Sequence, residues 1–444
     1  MSHTTNRADL ILTFGIGNHC IKNNVTCEGY PPRDYWQSGR QRLMKVARRN
    51  SHESPRTLPT LIDGVENDMD WLLLNHFQLG VSKVLSLCME RNNPFKELFM
   101  PMAMQHKGLM HSLLCLAGTH LITKDKEANL VAYQERQSHH YSLALQILRT
   151  DTNLANARGG DQKVIIDDPT TAQTVLLCLN TITAGDVSGE YRTHMDIARF
   201  AMQRSNAYNN DFRGFIYEFF VYHDVSNSIT AVDRPNILMS EDFQLPEYMM
   251  QQPALGNFLG VMDGLFLCMS RIRSLRDRVR ARSQSGEKPV VDFQILSEAQ
   301  GIDQELRDWT STQPLDSPRW TLSMLYRQCT WIYLHRTILP SVPNAQLSMA
   351  VEEGLAFLRH LPSDSSTQSL VLMPLFLLGC AAFDETQRPT ICEAFDNLMT
   401  FSSLGNIVHA RKILGEVWRR MDAGLDSWDW ESIIQEMGLD FLIT

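Results

Sequence analysis

The amino-acid sequence predicts an all-α protein, and three observations lead to this fold class. From about residue 70 onward, apolar side chains recur at steps of three and four residues, the spacing that places them on one face of a helix. The alternation typical of strands is scarce, and its one short candidate, residues 290–296, reads better as the start of a helix. Segments rich in Gly, Pro, Ser and Asp separate the periodic stretches. We therefore expect a domain of roughly a dozen packed helices.

Three stretches illustrate how individual helices are predicted. Residues 212–232 place aromatic and aliphatic side chains along one broad helical face. Asp168 is expected to cap the start of another helix, with Pro169 in its first turn, where the missing N–H costs nothing. The nearly uncharged run from Leu370 to Phe383 is predicted to be a buried helix, because it is shorter than the ~20 residues that cross a bilayer.

Composition divides the chain into three segments. Residues 1–32 are short, polar and turn-rich, residues 33–64 form a basic linker predicted to be flexible, and residues 65–444 form the helical domain. Residues 33–56 carry seven basic and two acidic side chains, a net charge of +5, whereas the whole chain carries −9. A basic arm on an acidic body is typical of contact with a polyanion, although a solvated linker explains it equally well.

Composition also excludes several classes of protein. A hydrophobic share of 43% and a charged share of 20% are typical of a folded protein, not of a disordered or collagen-like one. The N-terminus has neither the basic leader nor the small-residue cleavage site of a secretory signal, so we predict neither secretion nor a membrane anchor. The nine cysteines are an odd number scattered among apolar residues, which indicates reduced thiols in a cytosolic or nuclear protein.

The sequence contains no motif of a known enzyme class. Phosphate-binding loops, dinucleotide-binding glycine clusters and nucleophile elbows are all missing. His139 and His140 are adjacent, so they point to different sides of a helix and cannot share a metal. Asp167 and Asp168 would suit an all-α, magnesium-dependent enzyme acting on prenyl diphosphates, but Pro169 indicates a helix start there instead. We predict that the protein is not an enzyme and keep this one as the alternative.

The most suggestive polar pair is His223 and Asp224, in the segment FIYEFFVYHDVSNSITAVDRP. Neighbouring side chains in a helix do not face each other, so the pair is not a catalytic dyad. We expect both residues to satisfy polar groups of neighbouring helices. Arg234 and Pro235 follow the helix, and Arg234 is expected either to bond the last carbonyls of that helix or to pair with Asp224.

Three further features have two interpretations each. A run of arginines is predicted to surround a helix and to be solvated: Arg271, Arg273, Arg276, Arg278, Arg280 and Arg282. A set of Met and aromatic residues is predicted to be plain core, with the lining of an effector pocket as the alternative: Met249, Met250, Phe258, Met262, Phe266, Met269, Trp331 and Tyr333. Residues 424–442 alternate acidic and aromatic side chains, as activation segments do, but a short amphipathic helix packed on the body is the preferred interpretation.

Residues 19–36, HCIKNNVTCEGYPPRDYW, resemble the closing half of the fungal binuclear zinc cluster, in which six cysteines hold two zinc ions. Cys20 and Cys27 match the last two ligands of that motif, but Gly17 stands where the preceding ligand is expected. The opening half, which includes the helix that reads bases, has no counterpart in this sequence. The resemblance therefore implies a truncated zinc cluster, and zinc binding by this chain alone is in doubt because two thiolates do not complete a four-ligand shell.

Five later segments resemble, in the right order, the regulatory domain that follows zinc clusters in many fungal transcription factors. They include DPTTAQTVLLCLNTITAGDVSGEYRTHMDIARFAM, FFVYHDVSNSITAVDRP and GNIVHARKILGEVWRRMDAG, and the resemblance covers residues 65–444. His223, Asp224, Arg234 and Pro235 belong to the second of these segments and are expected to be structural residues of the family motif.

The resemblance implies a nuclear regulator of transcription by RNA polymerase II, whose helical domain controls its activity. Partners would be DNA, a second copy or an intact relative, coactivator or repressor proteins, and a small-molecule effector, with no membrane. Basic residues expected to contact phosphates are Lys22, Arg40, Arg42, Lys45, Arg48 and Arg49. Base reading would need the missing element, so we expect no sequence-specific DNA binding by this chain alone. An accessory regulator that acts only through protein contacts is the alternative.

Overall fold

The computed structural model describes residues 62–88, 92–124, 130–157, 166–204, 210–234, 256–258, 261 and 263–444, except for the side chains of residues 152–157, 201–204 and 210. All of these residues belong to one compact unit, Thr60–Thr444. The domain boundaries predicted from composition stay a prediction, because most of residues 1–64 lie outside the described residues.

Every regular element in the described ranges is a helix, which confirms the predicted all-α fold class. The helices are α1 (Asp68–His76), α2 (Lys107–Lys124), α3 (Leu130–Ala157), α4 (Asp168–Ala184), α5 (Tyr191–Arg204), α6 (Asn210–Thr230), α7 (Leu265–Gln284), α8 (Phe293–Asp308), α9 (Pro318–Ile338), α10 (Ala345–His360), α11 (Leu372–Ala381), α12 (Arg388–Ser402), α13 (Asn406–Asp422) and α14 (Trp430–Glu436). Shorter helical pieces are Phe77–Val81, Ser82–Val84, Phe95–Phe99, Met100–Ala103, Ser366–Leu370 and Glu385–Gln387.

Three helices are buried on all sides and form the centre of the packing. Residues 108–120 of α2, residues 170–183 of α4 and all of α11 are buried. A helix that is apolar all round has no face to offer to water, so other helices must cover it. Helix α2 packs against α3 and α4, while α11 is covered by α9, α10, α12 and α13. The buried helix predicted between Leu370 and Phe383 is therefore confirmed.

Polar side chains cap several helix starts at or next to the predicted positions. Asp292 accepts a hydrogen bond from the backbone N–H of Ile295 at 2.8 Å, so the segment 290–296 starts a helix as predicted. The start of α4 differs by one residue from the prediction. Asp167, not Asp168, is the cap, because its carboxylate accepts from the Thr170 N–H at 2.9 Å. Asp168 occupies the first turn of the helix with Pro169.

Two glycines allow the turn after α4 to lie directly against the turn before α13. Gly185 ends α4 in the left-handed conformation, with φ at 71°. The Gly405 N–H donates to the carbonyl of Thr183 at 2.9 Å. A Cβ on Gly405 would lie 2.6 Å from the Gly185 nitrogen, so a side chain there would collide with backbone. The contact holds the two halves of the helical unit together at this point.

The cysteines and the helices agree with two exclusions made from the sequence. All seven cysteines in the described ranges are free thiols, and burial raises the pKa of Cys115 and of Cys178 to about 12, so both remain protonated. Within the same ranges, each helix is too short or too polar to span a bilayer.

Candidate functional site

The structure describes only part of the residues singled out in the sequence. Those expected to bind zinc or DNA lie outside the described residues: Cys20, Cys27, Lys22, Arg40, Arg42, Lys45, Arg48 and Arg49. Pro235, Met249, Met250 and Met262 also lie outside them. What these residues do remains a prediction.

His223 lies inside the helical core on α6. Its Nδ1 is 2.7 Å from the carbonyl oxygen of Phe219, one helical turn earlier, and its ring lies 3.9 Å from the ring of Phe219, centroid to centroid. Burial lowers the pKa of His223 to about 4, so the imidazole is neutral near pH 7. Asp224, its neighbour in sequence, is only partly buried. The two side chains therefore have different surroundings, as expected for adjacent residues of a helix.

The carbonyls at the end of α6 are bonded by a residue that the sequence analysis did not connect with them. Arg234 pairs with Asp196 of α5, with Nη1 and Oδ1 2.9 Å apart. Arg273 of α7 instead donates to the carbonyls of Ser228 and of Val232, the latter at 2.9 Å. A buried guanidinium can satisfy several unpaired carbonyls at a helix end because it carries five donors.

The interpretation of the arginine run as solvated is wrong for two of its six members. Arg273 is fully buried and Arg276 is 5% exposed. Both belong to what we call the arginine–tryptophan cluster, which consists of Arg273, Arg276, Arg336, Trp428, Asp429, Trp430 and Glu431. The interpretation failed because the carbonyl ends of three helices meet here, which no local spacing reveals.

Each arginine of the cluster bonds backbone at the end of a helix. As described, Arg273 serves the end of α6. Arg276 Nη1 donates to the carbonyl of Arg336, in the last turn of α9, at 3.3 Å. Arg336 Nη1 donates to the carbonyl of Cys380, in the last turn of α11. Positive charge at a helix C-terminus is favourable because the last carbonyls carry partial negative charge.

Two carboxylates of the C-terminal segment neutralise these arginines. Arg276 Nη2 bonds Asp429, and Arg276 Nε lies 2.8 Å from Glu431 Oε1. Burial alone would lower the pKa of Arg276, but the charges of Glu431 and Asp429 outweigh it, so the pKa is raised. Arg336 has no such close carboxylate, and burial lowers its pKa to about 10. Both guanidiniums remain charged near pH 7.

Two tryptophan rings cover the charged groups. The Arg276 guanidinium carbon lies 4.4 Å from the centroid of the Trp430 ring, and that of Arg336 lies 4.0 Å from the Trp428 ring. Trp430 is fully buried, and its Nε1 donates to the carbonyl of Ile229 in α6 at 2.9 Å. The acidic and aromatic residues of the segment 424–442 thus hold α14 against the body, which agrees with the preferred interpretation of that segment.

A cavity of about 540 Å³ opens beside the cluster. Its lining comes from α7, the end of α9, the turn at residues 426–429 and α14. Arg276, Asp429 and Glu431 connect it to the cluster, and the rest of the lining is a mixture of aliphatic and hydroxyl or amide side chains. A volume of this size suits a small molecule. This cavity and the cluster beneath it are the candidate functional site.

The Met and aromatic residues proposed as an alternative pocket lining do not line this cavity. Phe266, Met269 and Tyr333 are core residues with at most 1% exposure, as the preferred interpretation predicts. Trp331 is half-buried, and its Nε1 donates to Asp303 at 2.7 Å. Phe258 borders a different cavity of only about 30 Å³, next to His223. The cavity beside the cluster was missed because its lining is scattered along the chain.

Comparison with known families decides the family of the chain. The model of the family described as the fungal-specific transcription factor domain matches residues 72–444. The chain belongs to this family. No curated protein and no solved structure gives a significant match. The family confirms the resemblance seen in the helical segments, and it suggests a fungal transcription regulator. It is a family of transcription factors and not of enzymes.

The alternative of a magnesium-dependent enzyme has no support in the fungal-specific transcription factor domain seen here. Asp167 is engaged as a helix cap, and Asp168 is the next residue of the same turn. Within the described residues, no group of three or more His, Cys, Asp and Glu side chains is arranged to hold a metal ion. His139 and His140 contact two different carboxylates, Glu66 and Asp70.

Proposed function

We propose that the chain is a nuclear regulator of RNA polymerase II transcription whose helical domain sets its activity through the position of α14. The family match over residues 72–444 is the observation that carries the proposal. Regulators of this kind work through proteins recruited to a promoter, so the helical domain would contact coactivators or repressors. A second copy of the chain or an intact relative would supply the DNA-reading element.

The arginine–tryptophan cluster supports a role for α14 in this control. Helix α14 is only seven residues long, too short to be stable alone, so it depends on tertiary contacts. Those contacts are with Arg273, Arg276 and Arg336, which also bond the ends of α6, α9 and α11. A change in the cluster would therefore alter both the exposure of an acidic, aromatic segment and the packing of three helices.

A tethering experiment tests the proposed regulatory function. The full chain is fused to a heterologous DNA-binding domain and placed on a reporter gene in a fungal host. The fusion is expected to raise or lower transcription relative to the DNA-binding domain alone. A fusion that leaves transcription unchanged, while being present in the nucleus at normal levels, would contradict the proposal.

A titration tests the proposed mode of DNA contact. We propose that Arg40, Arg42, Lys45, Arg48 and Arg49, with Lys22, contact phosphates without reading bases, and that Cys20 and Cys27 alone do not complete a zinc site. Full-length protein is titrated with duplexes of different sequence, with and without added zinc, at several salt concentrations. Weak, salt-dependent binding with no sequence preference is expected. Tight, sequence-dependent binding would show that the chain has a working base-reading element.

A further inference from the structure

The cavity beside the arginine–tryptophan cluster has more acidic than basic groups in its lining. Two guanidiniums, of Arg276 and Arg280, face three carboxylates, of Asp426, Asp429 and Glu431, which leaves a formal charge of −1. The guanidiniums are already engaged. Arg276 bonds Asp429 and lies against Glu431, while Arg280 bonds Asp277 at 2.8 Å and Glu431. An anionic ligand would have to displace one of these carboxylates, so the cavity disfavours anions.

Two carboxylate groups of the lining have unused capacity to accept hydrogen bonds. Asp426 is exposed at the edge of the cavity and has no partner among the described residues. Glu431 is 4% exposed, and its buried Oε1 accepts no hydrogen bond from any described group, although Arg276 Nε lies 2.8 Å away. Buried polar atoms without a hydrogen bond are rare and call for a donor. A ligand that carries N–H donors and positive charge would supply it.

The remaining walls determine the rest of the ligand. Five aliphatic side chains form the apolar part of the lining: Val232, Val279, Val290, Val291 and Ile338. Hydroxyl and amide groups of Ser283, Gln284, Ser341, Ser427, Ser432 and Gln435 add further acceptors. The described lining includes no aromatic ring on which a flat ligand could stack. The body of the ligand is therefore aliphatic.

We infer that this cavity binds a small aliphatic amine, with its ammonium group between Asp426 and Glu431 and its carbon chain against the valine wall. Asp426, Glu431 and Ser432 belong to the C-terminal segment, whereas Val279 and Ile338 belong to α7 and α9. The bound amine would bridge α14 to the body and favour its docked position. The inference deepens the proposed function, since the amine would be the signal that controls α14.

Binding is measured by calorimetry and by thermal shift on the purified full-length chain, with n-butylamine and diaminobutane as probes. Butyrate and butanediol, which match the carbon chain but carry a negative charge or none, serve as ligand controls. The amines are expected to bind and to raise the melting temperature, whereas butyrate and butanediol do not. Equal binding of butyrate, or binding of neither amine, would overturn the inference.

Variants then locate the site. Asp426→Asn is expected to weaken amine binding about fivefold, the upper range for one exposed charge pair. Asp364→Asn, which removes an equally exposed carboxylate away from the cavity, should leave the affinity unchanged. Ser432→Trp places a large ring on an exposed position of the lining and should abolish binding without unfolding α14. Unchanged affinity in both Asp426→Asn and Ser432→Trp would place the amine elsewhere and overturn the assignment.

The result is independent of the reporter experiment. Amine binding that follows these variants, in a chain that does not affect a reporter, would leave the site intact and remove the regulatory function. A chain that regulates the reporter but binds no amine would remove the site and leave the function.

Discussion

Replacing Trp430 by alanine is expected to lower the free energy of unfolding by about 3–5 kcal/mol, the usual cost of removing a buried aromatic side chain. Trp430 is fully buried, with its ring 6.1 Å from that of Tyr333 and 6.4 Å from that of Phe376, centroid to centroid. The substitution leaves a cavity, removes the hydrogen bond to Ile229 and uncovers the Arg276 guanidinium. Urea unfolding followed by far-UV circular dichroism measures the loss.

Trp71 provides the matched control for this substitution. It lies on α1 with 47% of its surface exposed, so Trp71→Ala removes the same side chain from a solvated position. Its effect should be within about 0.5 kcal/mol. The same pair of variants extends the reporter experiment, in which Trp430→Ala should change the transcriptional output and Trp71→Ala should not. Equal unfolding free energies for the two variants would show that α14 contributes nothing to the stability of the body.

Most of the fold could be predicted from the sequence because helices announce themselves locally. The apolar period of α6 and the uninterrupted apolar run of α11 each lie within a single segment, and so do the side chains that cap helix starts. Local information has an error of about one residue at helix ends. The exchange of Asp168 for Asp167 as the cap of α4 is such an error.

The candidate site could not be predicted, because its partners are far apart in sequence. Arg276 and Asp429 are 153 residues apart, and Arg280 and Glu431 are 151 residues apart. An arginine run on a helix is usually solvated, and nothing within α7 distinguishes Arg273 and Arg276 from their exposed neighbours. Only the meeting of the ends of α6, α9 and α11 requires buried guanidiniums. The acidic segment 424–442 contained the complementary charges, but composition alone could not pair the two.

A charge centre in α1 and α3 shows the same dependence on distant partners. Asp70 is fully buried and accepts hydrogen bonds from Arg136 Nε at 2.5 Å, Arg136 Nη2 at 2.6 Å and the Glu66 N–H at 2.7 Å. His140 Nε2 lies 2.9 Å from Asp70 Oδ1, and its Nδ1 lies 2.9 Å from Nδ1 of the buried His111. One carboxylate thus links α1 to α3.

The ionisation of Asp70 makes the stability of the protein depend on pH. Burial would raise the pKa of Asp70, but the hydrogen bonds from Arg136 and His140 outweigh burial and hold the pKa well below its ordinary value of 3.8. Since the pKa is lower in the folded state, the ionised carboxylate stabilises the fold above the ordinary pKa. This contribution is lost as the pH falls from about 4 towards the folded-state pKa.

Asp70→Asn is therefore expected to lower the free energy of unfolding by about 3–5 kcal/mol near pH 7, because it leaves the Arg136 guanidinium without its buried partner. The difference from the parent protein should shrink below about pH 4, where the parent also loses the carboxylate charge. Urea unfolding across this pH range measures both effects. Asp68→Asn, an exposed carboxylate in the same helical turn, is the control and should have a small effect at every pH. A constant difference between Asp70→Asn and the parent would show that hydrogen-bond geometry, and not the charge of Asp70, joins α1 to α3.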